Sequence, residues 1–113
     1  MKSFKKLEHQ LIMVLGRRGY KLNTKVKDTE DTDTKIYTKG LLDMCTVSIH
    51  RGDISSITIS FSENCIQMTY AALVVVTFNK DCEIEYIFVD HTQNHKYSAM
   101  FEEMKSIVKE MKY

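Results

Sequence analysis

Apolar residues recur at helical spacing near both ends of this chain and alternate with polar residues in between. Phe4, Leu7, Leu11, Val14 and Leu15 fall on one stripe, which predicts a helix over residues 3–18. Ser3 suits its N-cap, Arg17 and Arg18 suit its last turn, and either Gly16 or Gly19 ends it. Tyr97, Met100, Phe101, Met104, Ile107, Val108 and Met111 repeat the pattern and predict a second helix over residues 94–112. Each stripe has to be covered, because a fully buried apolar side chain contributes about 1.5–3 kcal/mol before entropy is charged.

Between the helices the period is two. The first strand, residues 20–27, turns Tyr20, Leu22, Thr24 and Val26 inward and Lys21, Asn23, Lys25 and Lys27 outward. Further strands are expected over 34–39, 42–50, 55–61, 66–78 and 82–89. Register follows from keeping apolar faces together, since a one-residue slip reverses every side chain. A three-residue Arg51-Gly52-Asp53 loop pairs Val47 with Ile57 and Cys45 with Ile59, whereas a two-residue loop mixes the faces. A loop over 79–81 pairs Phe78 with Cys82, Val76 with Ile84 and Val74 with Tyr86, which puts this hairpin at the centre of the sheet.

Connections are short and no βαβ crossover is available, so nucleotide-binding doubly wound folds are excluded. The expected fold is α+β. A single domain over residues 1–113 holds an antiparallel five- or six-stranded meander, flanked by an N-terminal and a C-terminal helix packed on the sheet. In architecture alone this order resembles small binding modules such as secretion chaperones and immunity-type inhibitors.

Residues 70–78 are apolar on both faces of a strand. Val74, Val76 and Phe78 point one way, and Leu73 and Val75 the other. Two helices side by side cover one sheet face, leaving Leu73, Val75, Ile87 and Val89 as an exposed cluster on the other. A contiguous apolar patch beyond a few hundred Å² is uncommon on monomers and usually marks an interface. These four residues are therefore the expected site for a protein partner or a second copy of the chain.

Composition changes this picture little. With 113 residues, 43% apolar and 27% charged, the chain has enough material for one core. Net charge is +1, so no global charge argues for nucleic acid or membrane. The first residues lack a continuous apolar leader, the longest apolar run is too short to span a bilayer, and a cytoplasmic location is expected.

Candidate chemistry is sparse. Cys45, Cys65 and Cys82 are odd in number and lack metal-type spacing, so they read as core thiols. Asp90, His91, His95 and Cys82 lack the geometry of a zinc site, and Asp28, Glu30, Asp31 and Asp33 lack the glycine and distal glutamate of a calcium loop. Arg51-Gly52-Asp53 reads as a hairpin turn in which Gly52 supplies positive φ. The serines at 55, 56, 60 and 62 read as outward strand residues. Nothing meets the nucleophile–base–stabiliser test, so no enzyme, cofactor, metal or small-molecule ligand is expected.

Local charge is less even. Residues 1–27 carry Lys2, Lys5, Lys6, Arg17, Arg18, Lys21, Lys25 and Lys27 against Glu8 alone. Lys21, Lys25 and Lys27 on one face make a possible anion-binding stripe for nucleic acid. Lysines on an edge strand also block sheet-to-sheet association, and no aromatic residue interleaves them as a stacking platform. The expectation is a non-enzymatic protein-binding module, regulatory, inhibitory or chaperone-like, acting through a sheet face and able to homodimerise. The alternative is a nucleic-acid-associated regulator.

Overall fold

Helix α1 (Phe4–Arg17) ends at Gly19 rather than Gly16. Gly19 takes a φ of +92°, which a side chain disfavours. Its N–H donates to the Gly16 carbonyl at 3.1 Å, and the Tyr20 N–H donates to the Leu15 carbonyl at 3.0 Å. These paired bonds are those of a Schellman ending, and they satisfy carbonyls the helix would leave open. The chain then turns straight into the sheet.

The computed structural model describes residues 4–27, 31–40, 43–52, 55–63, 74–89 and 95–111. The strands are β1 (Lys21–Lys27), β2 (Thr32–Lys39), β3 (Asp43–His50), β4 (Ser56–Glu63), β5 (Val74–Asn79) and β6 (Ile84–Val89), followed by helix α2 (His95–Met111). They form one six-stranded antiparallel sheet in the order β1-β2-β3-β4-β5-β6. This is the α+β meander that the alternation predicts. Leu73, Ser3, Cys65, His91 and residues 66–73 of the expected fifth strand lie outside the described residues.

Both helices pack on the same face. Leu7, Leu11, Val14 and Leu15 from α1 share one core with Met104, Ile107 and Met111 from α2. Beneath them lie alternate residues of the four inner strands, among them Val47, Ile49, Ile57, Ile59, Val76 and Phe78. Arg18 ties the helices together, its Nε donating to Glu103 at 2.6 Å and its Nη1 to Glu110 at 3.2 Å. The two glutamates are seven residues apart, two helical turns, and therefore face Arg18 together.

Three details depart from expectation. Between β3 and β4 the pairs are Val47 with Ile59, Cys45 with Phe61 and His50 with Ser56, so the loop holds five residues rather than three. Both lengths are odd, and both keep the same side chains inside. Gly52 is not a positive-φ residue. A Cβ there would lie 2.8 Å from His50 Nε2, so the His50 ring would have to shift to admit one.

The β5–β6 hairpin changes more. The Cys82 N–H donates to the Asn79 carbonyl and the Asn79 N–H to the Glu83 carbonyl, with Cys82 buried at φ +64°. This is a three-residue loop, 80–82, closed by a left-handed residue. A bulge follows, because Phe78 pairs with Ile84 while Thr77 already pairs with Tyr86. Glu85 is the extra residue. Val76 therefore pairs with Ile87 and Val74 with Val89, which exchanges the faces expected for Tyr86 and Ile87. This hairpin is also not central, since β6 is an edge.

Strand β1 carries a second bulge. Leu22 pairs with Tyr37 and Thr24 with Ile36, leaving Asn23 unmatched. Leu22 thus shares the helix-facing side with buried Tyr37, yet is 47% exposed. Six strands at about 4.8 Å spacing are wider than two helices packed about 10 Å apart. The sheet consequently overhangs its helical layer at both edges.

Candidate functional site

The overhang at β6 is apolar. Ile84 is 43% exposed, Tyr86 53%, Ile87 48% and Phe88 40%. By register, Ile84 and Ile87 lie on the helix-facing side, and Tyr86 and Phe88 opposite Thr77 and Val75 on the other. Both sides of one strand therefore present large apolar groups. Its outer edge pairs with no strand among the described residues. Such an edge offers main-chain donors and acceptors flanked by hydrophobic surface, a template for another strand.

The opposite edge is built differently. β1 has lysines at 21, 25 and 27, which discourage strand addition. β6 carries no lysine and no proline, and its bulge at Glu85 leaves residues 86–89 in continuous register with β5.

Of the expected cluster, Leu73 lies outside the described residues, and Val75 does not share a face with Ile87 and Val89. Val75 lies on the face away from the helices, half-buried. Ile87 and Val89 pair with buried Val76 and Val74 on the helix-facing side, and Val89 packs against the core. The bulge at Glu85 causes the separation. The second face instead carries hydroxyls on β2, β3, β4 and β5. Thr34 and Ser48 meet at 3.2 Å, as do Thr58 and Thr77. Thr32 Oγ1 reaches His50 Nδ1 at 2.9 Å. Ser62, expected to face outward, is buried.

The lysine stripe is also divided. Lys21 pairs with Thr38, Lys25 with Lys35 and Lys27 with Asp33. The Asn23 bulge puts Lys21 and Lys25 on opposite faces. Arg18, counted among the basic residues, is held by Glu103 and Glu110. The Arg18 hydrogen bond holds the Glu103 carboxyl below its ordinary range despite partial burial. That same bond raises Arg18 above its already high value.

Other polar groups are absorbed into the framework. Arg51 joins α1 to the sheet, its Nη2 donating to Glu8 at 2.9 Å and its Nη1 to Asp33 at 2.7 Å. Burial pushes the Tyr37 hydroxyl and the Cys45 thiol up from their ordinary values. Cys45 and Cys82 are buried. Among the described residues no group of three or more His, Cys, Asp or Glu is arranged to hold a metal ion. Also among them, no helix is long and apolar enough to cross a membrane. A recess of about 120 Å³ lies between Tyr20, Met44, Ser62 and Glu103. A second, more open hollow of about 430 Å³ lies between α1 and Arg51, lined by Phe4, Glu8, His9 and Ile12; ligand pockets usually run to about 300–1,000 Å³ and are enclosed and mostly apolar.

Ile84, Tyr86 and Phe88 are the residues that the alternation alone does not single out as exposed. A signal was present: the last strand of a meander is an edge, and this one alternates apolar groups without a lysine or proline. Comparison with known proteins finds no matching family model, no matching curated protein and no matching solved structure.

Proposed function

We propose that this chain is a non-enzymatic binding module that captures polypeptide by strand addition to β6. The observation that supports this is the pairing of an open strand edge with four exposed apolar side chains, Ile84, Tyr86, Ile87 and Phe88. Main-chain hydrogen bonds along residues 86–89 supply affinity, and the apolar groups on either side select the incoming strand. A regulatory, inhibitory or chaperone-like role would use the same edge. A reducing, cytoplasmic setting suits Cys45 and Cys82, which lie in the core. The nucleic-acid alternative has less support, because Lys21 and Lys25 fall on different faces.

The test is a tagged capture experiment with wild type and a Tyr86→Lys, Phe88→Lys variant, run with and without nuclease. Both sites are exposed, so the variant should keep its far-ultraviolet circular dichroism. The reading expects a protein retained by wild type, lost by the variant and indifferent to nuclease. Recovery that the variant leaves unchanged, or that nuclease removes, contradicts it.

A further inference from the structure

We infer that the strand added to β6 is β6 of a second copy of this chain, antiparallel about a two-fold axis at Ile87. This rests on the strand-addition reading above and names its occupant.

The register is the first argument. A two-fold axis normal to the sheet sets residues of equal parity opposite each other, as side chains on one face require. Centred on Ile87, it pairs Ile87 with its own copy on the helix-facing side. On the other side it pairs Tyr86 with Phe88 twice, forming two aromatic cross-strand pairs. Glu85 falls opposite Val89, so the two Glu85 carboxylates lie four residues apart along the strands. That is about 13 Å, beyond a Debye length of about 10 Å at 0.1 M salt. A register centred on Tyr86 instead sets Glu85 against Ile87 and brings the two glutamates within about 7 Å.

The overhang is the second argument. Ile84 and Ile87 face the helical layer but extend past it. Continuing the sheet into a second copy places them in the trough between α2 and its symmetry mate. Pairing β6 with β1 of another copy would not close, and it would meet the lysines of β1.

Area is the third. The exposed fractions of Ile84, Tyr86, Ile87 and Phe88 amount to roughly 400 Å² per copy, at about 200–250 Å² for a whole residue of these types. For the two copies together that is about 800 Å², below the standard size of a stable interface and suited to a weak, concentration-dependent dimer.

The experiment is disulfide trapping combined with sedimentation. Cys65→Ser is the background, since Cys45 and Cys82 are buried. Opposed Cβ atoms lie about 4.5–5.5 Å apart, close to disulfide range, so Ile87→Cys should cross-link to its own copy under mild oxidation. Ile84→Cys, six residues from its copy, should cross-link at least about tenfold more slowly. Wild type should sediment as a dimer at concentrations on the order of 100 µM. Wild type that stays monomeric there overturns the inference, as does equal trapping at 84 and 87. If the wild type is monomeric but the capture experiment still depends on Tyr86 and Phe88, the edge takes a foreign strand and only the self-pairing fails. If neither occurs, both readings fail.

Discussion

Ile87 lies directly opposite Val76 on the helix-facing side of the sheet, yet Val76 is wholly buried and Ile87 is 48% exposed. One strand spacing separates core from surface. At the level of Ile87 the helical layer reaches β5 and stops, while Val89 at the end of β6 still packs against the core. Val76→Ala should therefore cost about 2 kcal/mol through lost burial and a cavity. Ile87→Ala should cost less than about 1 kcal/mol in the isolated chain. Urea unfolding of dilute protein measures both, and equal costs would place Ile87 under a covering layer.

Arg18 and Glu103 lock the end of α1 to α2, and this lock is pH-dependent. The folded protein holds the Glu103 carboxyl below its ordinary value of 4.5. As pH falls, the unfolded chain takes up the proton first. The stability from this pair is therefore complete above about pH 4.5 and is lost as pH falls through the lower folded value. Glu103→Gln should cost about 1 kcal/mol at neutral pH and flatten the acid limb of the stability curve. An unaltered acid limb would show that other carboxylates control it.

The two glycines near the end of α1 should respond with opposite signs. Gly19 takes φ +92°, so Gly19→Ala should destabilise by about 1–2 kcal/mol. Gly16 is exposed within α1 with open space around its missing side chain. Gly16→Ala should stabilise by about 0.5–1 kcal/mol. Denaturation midpoints read both, and the same sign for the two would place the helix end elsewhere.

Cys45 is fully buried between Tyr37 and Phe61, its cross-strand partners, and burial pushes its thiol up from the ordinary value. Thiolate is the reactive form, so alkylation should require unfolding. Mass spectrometry of the Cys45 peptide should show labelling on the order of 10³-fold or more slower than in denatured protein. Rapid labelling of the native chain would mean that β3 opens.

Periodicity made the elements and their faces legible wherever the chain keeps strict alternation. Val47, Ile49, Ile57 and Ile59 face inward as expected, although the loop between them is two residues longer. Facing fixes parity, and parity does not distinguish loops of three and five. The bulges at Asn23 and Glu85 were not legible, because an inserted residue leaves no mark in composition. Those two insertions account for the divided lysines and for Ile87 and Val89 leaving the side of Val75. The edge position of β6 follows from meander order combined with a strand free of lysine. Alternation by itself weighs only neighbours along the chain.

Amide hydrogen exchange along β6 tests the central claim most directly. Within residues 86–89 the amides that point away from β5, which alternate with those bonded to it, should exchange fast in dilute protein and should slow as concentration rises or as a captured polypeptide saturates the edge. Exchange along β1, at residues 21–27, should stay unchanged. Protection that appears on β1 or on the helices, or exchange at 86–89 that neither concentration nor partner alters, would contradict β6 as the surface this protein uses.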